Sequence, residues 1–143
     1  ELECGIIGNE ALSSTLSGEI ILLKNYDFYT YEAKYQDESA IRVEIPAQIP
    51  TAVHQQIRAL CEKAFLTLKC NDFARVDVFL TQENEIFINE INTIPGFTNA
   101  SMFPGLWENM GISYPELISK IIEIGEARWQ QEQQYITDLN SSN

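Results

Sequence analysis

Two strand-like segments of the chain carry acidic side chains among apolar ones, which is unusual for buried strands. The first, "ARVDVF" (74–79), contains Arg75 and Asp77. The second, "EIFINEIN" (85–92), contains Glu90 and Asn92. Carboxylate and amide oxygens are the ligands that hard divalent cations such as Mg²⁺ prefer. If the two segments face each other, these residue types predict a cation site with an arginine beside it.

A β-hairpin would bring these side chains together. With a two- or four-residue loop between the segments, Asp77 lies opposite Glu90, and Arg75 lies opposite Asn92. Two opposed carboxylates repel each other, and a divalent cation would remove that conflict. The spacing also leaves open a solvent-facing hairpin in which Arg–Asp and Glu–Asn pairs form on the surface.

The apolar residues of the two segments favour the same register. It gives the hairpin one apolar face, made of Val76, Val78, Leu80, Phe87 and Ile91. Phe79 and Ile88 would then extend the polar face, and Asn89 does not fit the apolar one. A loop with an odd number of residues would send the two sets of side chains to opposite faces.

The rest of the pattern predicts further strands and helices around this hairpin. Strands are expected at 1–8, 17–23, 41–46, 73–80 and 85–92, and helices at 51–69 and after Ser113, which would cap the last helix. The polar, tyrosine-rich stretch 24–40 shows neither the helical nor the strand repeat of apolar residues. It is expected to be a long loop of the kind that covers functional sites.

The helix over 51–69 has an apolar stripe. Thr51 would be its N-cap after Pro50. The stripe consists of Val53, Ile57, Leu60, Ala64, Phe65 and Leu68. His54 has no Ser, Cys or Asp partner at a helical offset, so we expect it to be solvated or to cap the helix rather than to act in catalysis.

The composition limits the classes of function. The 143 residues are 45% hydrophobic, and 21 acidic against 9 basic residues give a net charge of −12. This balance argues against a nucleic-acid partner, which needs clustered Lys and Arg, and no apolar run is long enough for a membrane span. Cys4, Cys61 and Cys70 match no zinc or redox spacing, so we expect reduced, buried cysteines in a cytoplasmic protein.

Four segments resemble the C-terminal part of D-alanine–D-alanine ligases, which belong to the ATP-grasp superfamily. They are "YEAKY" (31–35), "ARVDVF" (74–79), "NEINTIPGFTNASMFP" (89–104) and "LWENMGISYPELISKIIEIG" (106–125). The resemblance implies an α+β fold, an ATP-grasp C-terminal subdomain whose mostly antiparallel sheet packs against helices. Residues 1–125 would form this portion of a larger chain. Residues 126–143 would be the end of the C-terminal helix and a frayed tail.

The resemblance also implies roles for the polar face. Asp77 and Glu90 would hold one Mg²⁺ (or Mn²⁺), and Glu90 and Asn92 would hold a second. Arg75 and the backbone N–H of Gly96 would face the oxyanion of a tetrahedral intermediate.

Substrate-binding roles follow from the same resemblance. Ser101, with the N–H of Met102, would bind the carboxylate of the second D-alanine, and Tyr35 would help to close that pocket. For ATP, Lys34 would contact the phosphates and Glu1 the ribose. The adenine pocket would be lined by Phe28 and Phe79, although plain packing explains these two residues equally well.

The implied activity is the ATP-dependent ligation of two D-alanines through an acyl phosphate, for peptidoglycan precursor synthesis by a homodimeric full-length enzyme. The loop "YEAKY" favours an amine acceptor, with D-alanine ahead of D-serine. Alternatives are another ATP-grasp carboxylate–amine ligase and a non-catalytic cation-binding module. Because the chain has no Gly-rich phosphate loop, we expect it to be inactive alone.

Overall fold

The structure is a computed structural model that describes residues 1–22, 41–98 and 100–141. Its elements are β1 (Leu2–Gly8), β2 (Leu12–Ser14), β3 (Gly18–Leu22), β4 (Ile41–Glu44), α1 (Thr51–Thr67), β5 (Phe73–Leu80), β6 (Ile86–Asn92), α2 (Met102–Asn109) and α3 (Tyr114–Ser141). The predicted α+β class, the five predicted strands and both predicted helices are confirmed. The short elements β2 and α2 were not predicted, and the loop expected at 24–40 lies outside the described residues.

The described strands form one antiparallel sheet. Their order is β4-β3-β1-β5-β6, and β2 pairs with the end of β1 that β3 leaves free. The turn from β1 to β2 needs a glycine, because Gly8 has a φ of 122° and a Cβ there would collide with the carbonyl oxygen of Ala11. Because β1 pairs with β2, β3 and β5, it is the strand to which most of the described sheet is joined.

Alternate residues of β1 and β5 pack on opposite faces of the sheet. α1 covers the first face, whose buried core contains Leu2, Cys4, Ile6, Val53, Ile57, Cys61, Phe65, Ala74, Val76 and Val78. On the second face, α2 and α3 cover only one end, where Ile7 packs with Phe103, Trp107 and Leu117. The rest of the second face carries the polar residues of β1, β5 and β6.

The cysteines are part of the packed interior. Cys4 and Cys61 are buried, as expected, and Cys70 is half-buried. The contact with Cys4, together with burial, raises the pKa of the Cys61 thiol. Cys61 is therefore a neutral core residue.

α1 differs from its prediction at both ends. Thr51 is the first helical residue, and the N-cap is Pro50, which makes no side-chain cap hydrogen bond. At the other end the helix stops at Thr67, so Leu68 lies beyond it and is 65% exposed. The centre of the apolar stripe is confirmed, with Cys61 among its buried residues.

His54 is buried, so its predicted solvated or capping position is wrong. Its Nδ1 accepts a hydrogen bond from the Ser17 N–H at 3.2 Å, and its Nε2 lies 3.2 Å from the Ala47 carbonyl oxygen. Together these contacts require the neutral tautomer in which Nε2–H donates. The imidazole thus joins α1 to two backbone segments, which are also joined to each other by the hydrogen bond from the Ala47 N–H to the Ser17 carbonyl at 2.8 Å.

α3 begins at the predicted cap and is longer than expected. The Ser113 N–H and Oγ–H both donate to the Glu116 carboxylate, at 2.9 and 2.6 Å. Near its middle, Arg128 forms a two-nitrogen contact with Asp72 at the start of β5. The helix continues to Ser141, within the segment 126–143 that was expected to hold the helix end and a frayed tail. None of the described helices is both long and apolar enough to cross a membrane.

Replacing His54 with leucine should lower the free energy of unfolding by about 1–3 kcal/mol, because the buried Ser17 N–H would lose its acceptor, while the Ala47 carbonyl keeps its hydrogen bond from the Ile49 N–H. Urea denaturation monitored by circular dichroism measures the change. Gln55→Leu is the control, since it places the same side chain at an exposed position of the same helix and should shift stability by less than about 0.5 kcal/mol. Equal stability of the two variants would contradict the bridging role.

Candidate functional site

The sheet places the predicted polar residues side by side. In the β5–β6 hairpin, Asp77 pairs with Glu90 and Arg75 pairs with Asn92, as predicted. On the other side of β5, β1 places Glu3 opposite Asp77. A row of three carboxylates, Glu3–Asp77–Glu90, therefore crosses three neighbouring strands, with Arg75 and Asn92 in the next row. Glu3 was not predicted, because no hairpin links β1 to β5 in the sequence.

β6 contains an irregularity that the prediction lacked. The pairing passes from Asp77–Glu90 directly to Val78–Ile88, so Asn89 has no partner in the ladder. The loop between β5 and β6, residues 81–85, has an odd number of residues. One extra residue in β6 compensates for the odd loop and returns Glu90 to the face that Asp77 occupies.

The β-bulge corrects the predicted placement of the residues before it. Ile88, expected on the polar face, packs against the core under α1. Phe87, expected in the core, is 54% exposed and lies opposite Phe79, which is 48% exposed. Asn89, which did not fit the apolar face, donates a hydrogen bond to the Glu1 carboxylate at 2.8 Å. An exposed aromatic pair thus continues the second face beyond the carboxylate row.

Arg75 binds two of the three carboxylates. Its Nε lies 2.8 Å from Asp77 Oδ1 and 2.9 Å from Glu3 Oε2, and its Nη2 lies 2.7 Å from Asp77 Oδ2. Glu3 is only 5% exposed and Asp77 only 3%. Burial by itself would lower the pKa of Arg75, but the hydrogen bond to Asp77 and the charges of Glu3, Asp77 and Glu90 outweigh it and raise that pKa.

The remaining members of the two rows are open to a ligand. Glu90 is exposed, and Asn92 is half-buried, with its Oδ1 accepting from the Ile94 N–H at 3.3 Å. Within residues 1–22, 41–98 and 100–141, no three His, Cys, Asp or Glu side chains are grouped closely enough to hold a metal ion. Mg²⁺ commonly uses one or two protein carboxylates together with water and substrate oxygens. Asp77, Glu90 and Asn92 fit that requirement by donor type and by neighbouring positions in the sheet.

Gly96 and Ser101 form a second group near the start of α2. A Cβ at Gly96 would lie 3.0 Å from Ser101 Oγ, and that oxygen accepts from the Thr98 N–H at 3.0 Å. Ser101 is the N-cap of α2 but makes no side-chain cap hydrogen bond. Since Pro104 has no N–H, the helix start offers the N–H groups of Met102 and Phe103. Such a terminus favours an anion.

An aromatic cluster holds this loop in place. The Phe97 ring lies 5.6 Å from Phe103 and 5.5 Å from Tyr114, centroid to centroid. The Tyr114 hydroxyl also donates to the Phe97 carbonyl at 2.6 Å. The packing role of Phe97 was not predicted from the sequence. Its position directly after Pro95-Gly96 was the feature that could have indicated it.

The other predicted site residues are only partly placed. Glu1 precedes β1 and contacts Asn89 across β5, and Phe79 pairs with Phe87. Phe28, Lys34 and Tyr35 lie outside the described residues, so their predicted roles stay predictions.

Comparison with known proteins agrees with the resemblance seen in the sequence. The profile of a family described as "D-ala D-ala ligase C-terminus" matches residues 1–123. The chain is 50% identical over 128 residues to D-alanine–D-alanine ligase A of Salmonella typhimurium, which is 90% of this chain and 35% of that protein. The chain therefore spans about a third of the length of such relatives.

Solved structures give the same family. The D-alanine–D-alanine ligase of Coxiella burnetii matches with a TM-score of 0.79 and 34% identity, over 98% of this chain and 34% of that one. The VanG D-Ala:D-Ser ligase of Enterococcus faecalis matches with a TM-score of 0.73 and 30% identity, over 86% of this chain and 35% of that one.

Replacing Arg75 with methionine should lower the free energy of unfolding by about 3–5 kcal/mol, because Glu3 and Asp77 would remain buried without the cation between them. Arg42→Met is a matched control. Arg42 also lies two residues before an acid on a strand, but its 3.7 Å contact with Glu44 is at the surface, so the loss should be below about 1 kcal/mol. Urea denaturation of both variants tests this, and similar losses would refute the assigned importance of the buried pair.

Proposed function

The chain belongs to the D-alanine–D-alanine ligase family, and on this premise we propose that it is the C-terminal portion of an enzyme that joins two D-alanines with ATP. The observation that carries the proposal is the pairing of Asp77 with Glu90 beside Arg75 and Asn92. A solvent-facing hairpin would not need an arginine buried against two acids. This arrangement is suited to a reaction that gathers negative charge next to cations.

In the proposed reaction, ATP transfers its γ-phosphoryl group to the carboxylate of the first D-alanine, and ADP leaves. The amine of the second D-alanine then attacks the acyl carbon, loses a proton to form the amide, and displaces inorganic phosphate. Both steps concentrate negative charge on phosphoryl and acyl oxygens, so catalysis depends mainly on positioning and electrostatics. Two Mg²⁺ ions held by Asp77, Glu90 and Asn92 would supply positive charge next to the phosphates.

Arg75 is the oxyanion donor of the proposal. A guanidinium has five N–H groups, and the contacts with Glu3 and Asp77 use Nε and Nη2. Nη1 would donate to the acyl oxygen as it becomes negative, together with the Gly96 N–H. The restricted position of Arg75 means that little reorganisation is needed when this charge develops.

The start of α2 is the proposed site for the carboxylate of the second D-alanine. Ser101 Oγ–H and the Met102 N–H would donate to it, and the positive end of the helix would stabilise it. Because a Cβ at Gly96 would lie 3.0 Å from Ser101 Oγ, the proposed carboxylate site is next to the proposed Gly96 donor. Holding the acceptor there brings its amine close to the acyl carbon.

The nucleotide and the remaining substrate contacts are proposals from the family. Glu1 would bind the ribose of ATP and Phe79 the adenine, with Phe28 and Lys34 on the adenine and phosphates. Tyr35 would close the acceptor pocket. D-Alanine is the proposed acceptor, since the segment "YEAKY" carries a Lys-Tyr pair. The full-length enzyme is proposed to be a cytoplasmic homodimer that makes peptidoglycan precursor.

Cation binding is the direct test of the carboxylate row. The chain should bind Mn²⁺, followed by water-proton relaxation or electron paramagnetic resonance. Glu90→Gln should weaken that binding by about tenfold or more, because it removes one of two adjacent ligand charges. Glu85→Gln is the control: it removes the same charge from an exposed position of the same hairpin and should change the affinity by less than about twofold. Absence of binding by the wild-type chain would reject the cation site.

Activity gives a second test. Because the chain spans about a third of its relatives, we expect it to release no phosphate above background from ATP, Mg²⁺ and D-alanine. A full-length D-alanine–D-alanine ligase assayed in parallel is the positive control. D-Alanine-dependent phosphate release by the 143-residue chain would show that the described site is sufficient for catalysis.

A further inference from the structure

Glu3 and a proposed metal ligand lie against the same nitrogen of Arg75. The Nε–H donates to Asp77 Oδ1 at 2.8 Å, and Glu3 Oε2 lies 2.9 Å from the same Nε as an ion-pair partner. The two carboxylates, which face each other across β1 and β5, therefore both lie within reach of this nitrogen.

Arg75 also occupies Asp77 in a way that conflicts with metal binding. Nε contacts Asp77 Oδ1 and Nη2 contacts Oδ2, so both carboxylate oxygens are engaged. If Asp77 is to give an oxygen to a cation, Arg75 must release part of this contact. A guanidinium released at a site this buried would be costly unless another anion received it.

We propose that Glu3 is a positioning residue that retains Arg75 when Asp77 gives its oxygens to a divalent cation, an inference that rests on the proposed function. Glu3 already contacts Nε, lies on the central strand, and is buried almost completely. Arg75 can therefore exchange partners without leaving the carboxylate row. The consequence is that Arg75 stays beside the acyl oxygen in both the free and the cation-bound states.

A metal-free experiment tests the retention directly. Asp77→Asn neutralises the competing carboxylate, as a bound cation would, and leaves Glu3 as the anion nearest to Nε. The Arg75 Nε–H, followed by ¹H–¹⁵N NMR, should remain slow to exchange with water in this variant. Adding Glu3→Gln should accelerate the exchange by about tenfold or more, because neither Glu3 nor Asp77 then offers a carboxylate to hold the Arg75 guanidinium. Adding Glu85→Gln instead should leave the rate unchanged.

Equal exchange rates in Asp77→Asn and in Asp77→Asn with Glu3→Gln would overturn the proposal. A role of Glu3 in stability alone would lower the unfolding midpoint without this dependence of Nε–H exchange. If the double variant does not fold, Glu3→Gln alone decides: the Nε–H should exchange at least about threefold faster than in the wild type, and an unchanged rate would refute retention.

A Mn²⁺ titration separates this inference from the proposed function. Glu3→Gln should weaken Mn²⁺ binding by about tenfold, since Arg75 would then compete for Asp77 without an alternative partner and one nearby negative charge is gone. Wild-type affinity in Glu3→Gln would count against the inference. Failure of the wild-type chain to bind Mn²⁺ would count against the proposed function, while the exchange rates still decide the role of Glu3.

Discussion

One guanidinium between two buried carboxylates is the interaction on which the centre of the sheet depends. Glu3 and Asp77 lie directly opposite each other on β1 and β5, and Arg75 contacts both. A shift of β1 by one residue would move Glu3 away from Arg75, to the apolar face under α1. The charge pair and the hydrophobic pattern of β1 therefore require the same register, and each reinforces the other.

The second face of the sheet has an apolar end and a polar end. At one end, Ile7 and the aromatic residues of α2 form a small core, and Phe97 and Tyr114 tie the loop before α2 to it. At the other end lies the row of carboxylates. The loop that carries Gly96 and Ser101 is thus fixed by apolar contacts, although it carries the N–H and hydroxyl groups that we propose bind a substrate carboxylate. A loop anchored in this way can hold its proposed donors in place before a substrate arrives.

The sequence predicted the longer elements and the polar pairs of the β5–β6 hairpin, because those depend on local periodicity and on one hairpin. Asp77, Glu90, Arg75 and Asn92 could be paired by counting along two segments. Glu3 could not, because its neighbours come from a strand about seventy residues away. The burial of His54 was missed for the same reason, since its hydrogen-bond partners are backbone groups that only the folded chain brings close. Resemblance to the ligase family supplied the proposed roles of these residues, which periodicity does not contain.

The bulge in β6 has effects that residue spacing in the sequence does not predict. A hairpin with an even loop and no bulge would also place Glu90 beside Asp77, so the pairing alone does not require Asn89. What the extra residue adds is a carboxamide that reaches Glu1 across β5. The same irregularity turns Phe87 outward beside Phe79. One inserted residue therefore joins three parts of the face, the carboxylate row, the aromatic pair and the acid that precedes β1, which is the kind of local device that β-bulges provide near binding sites.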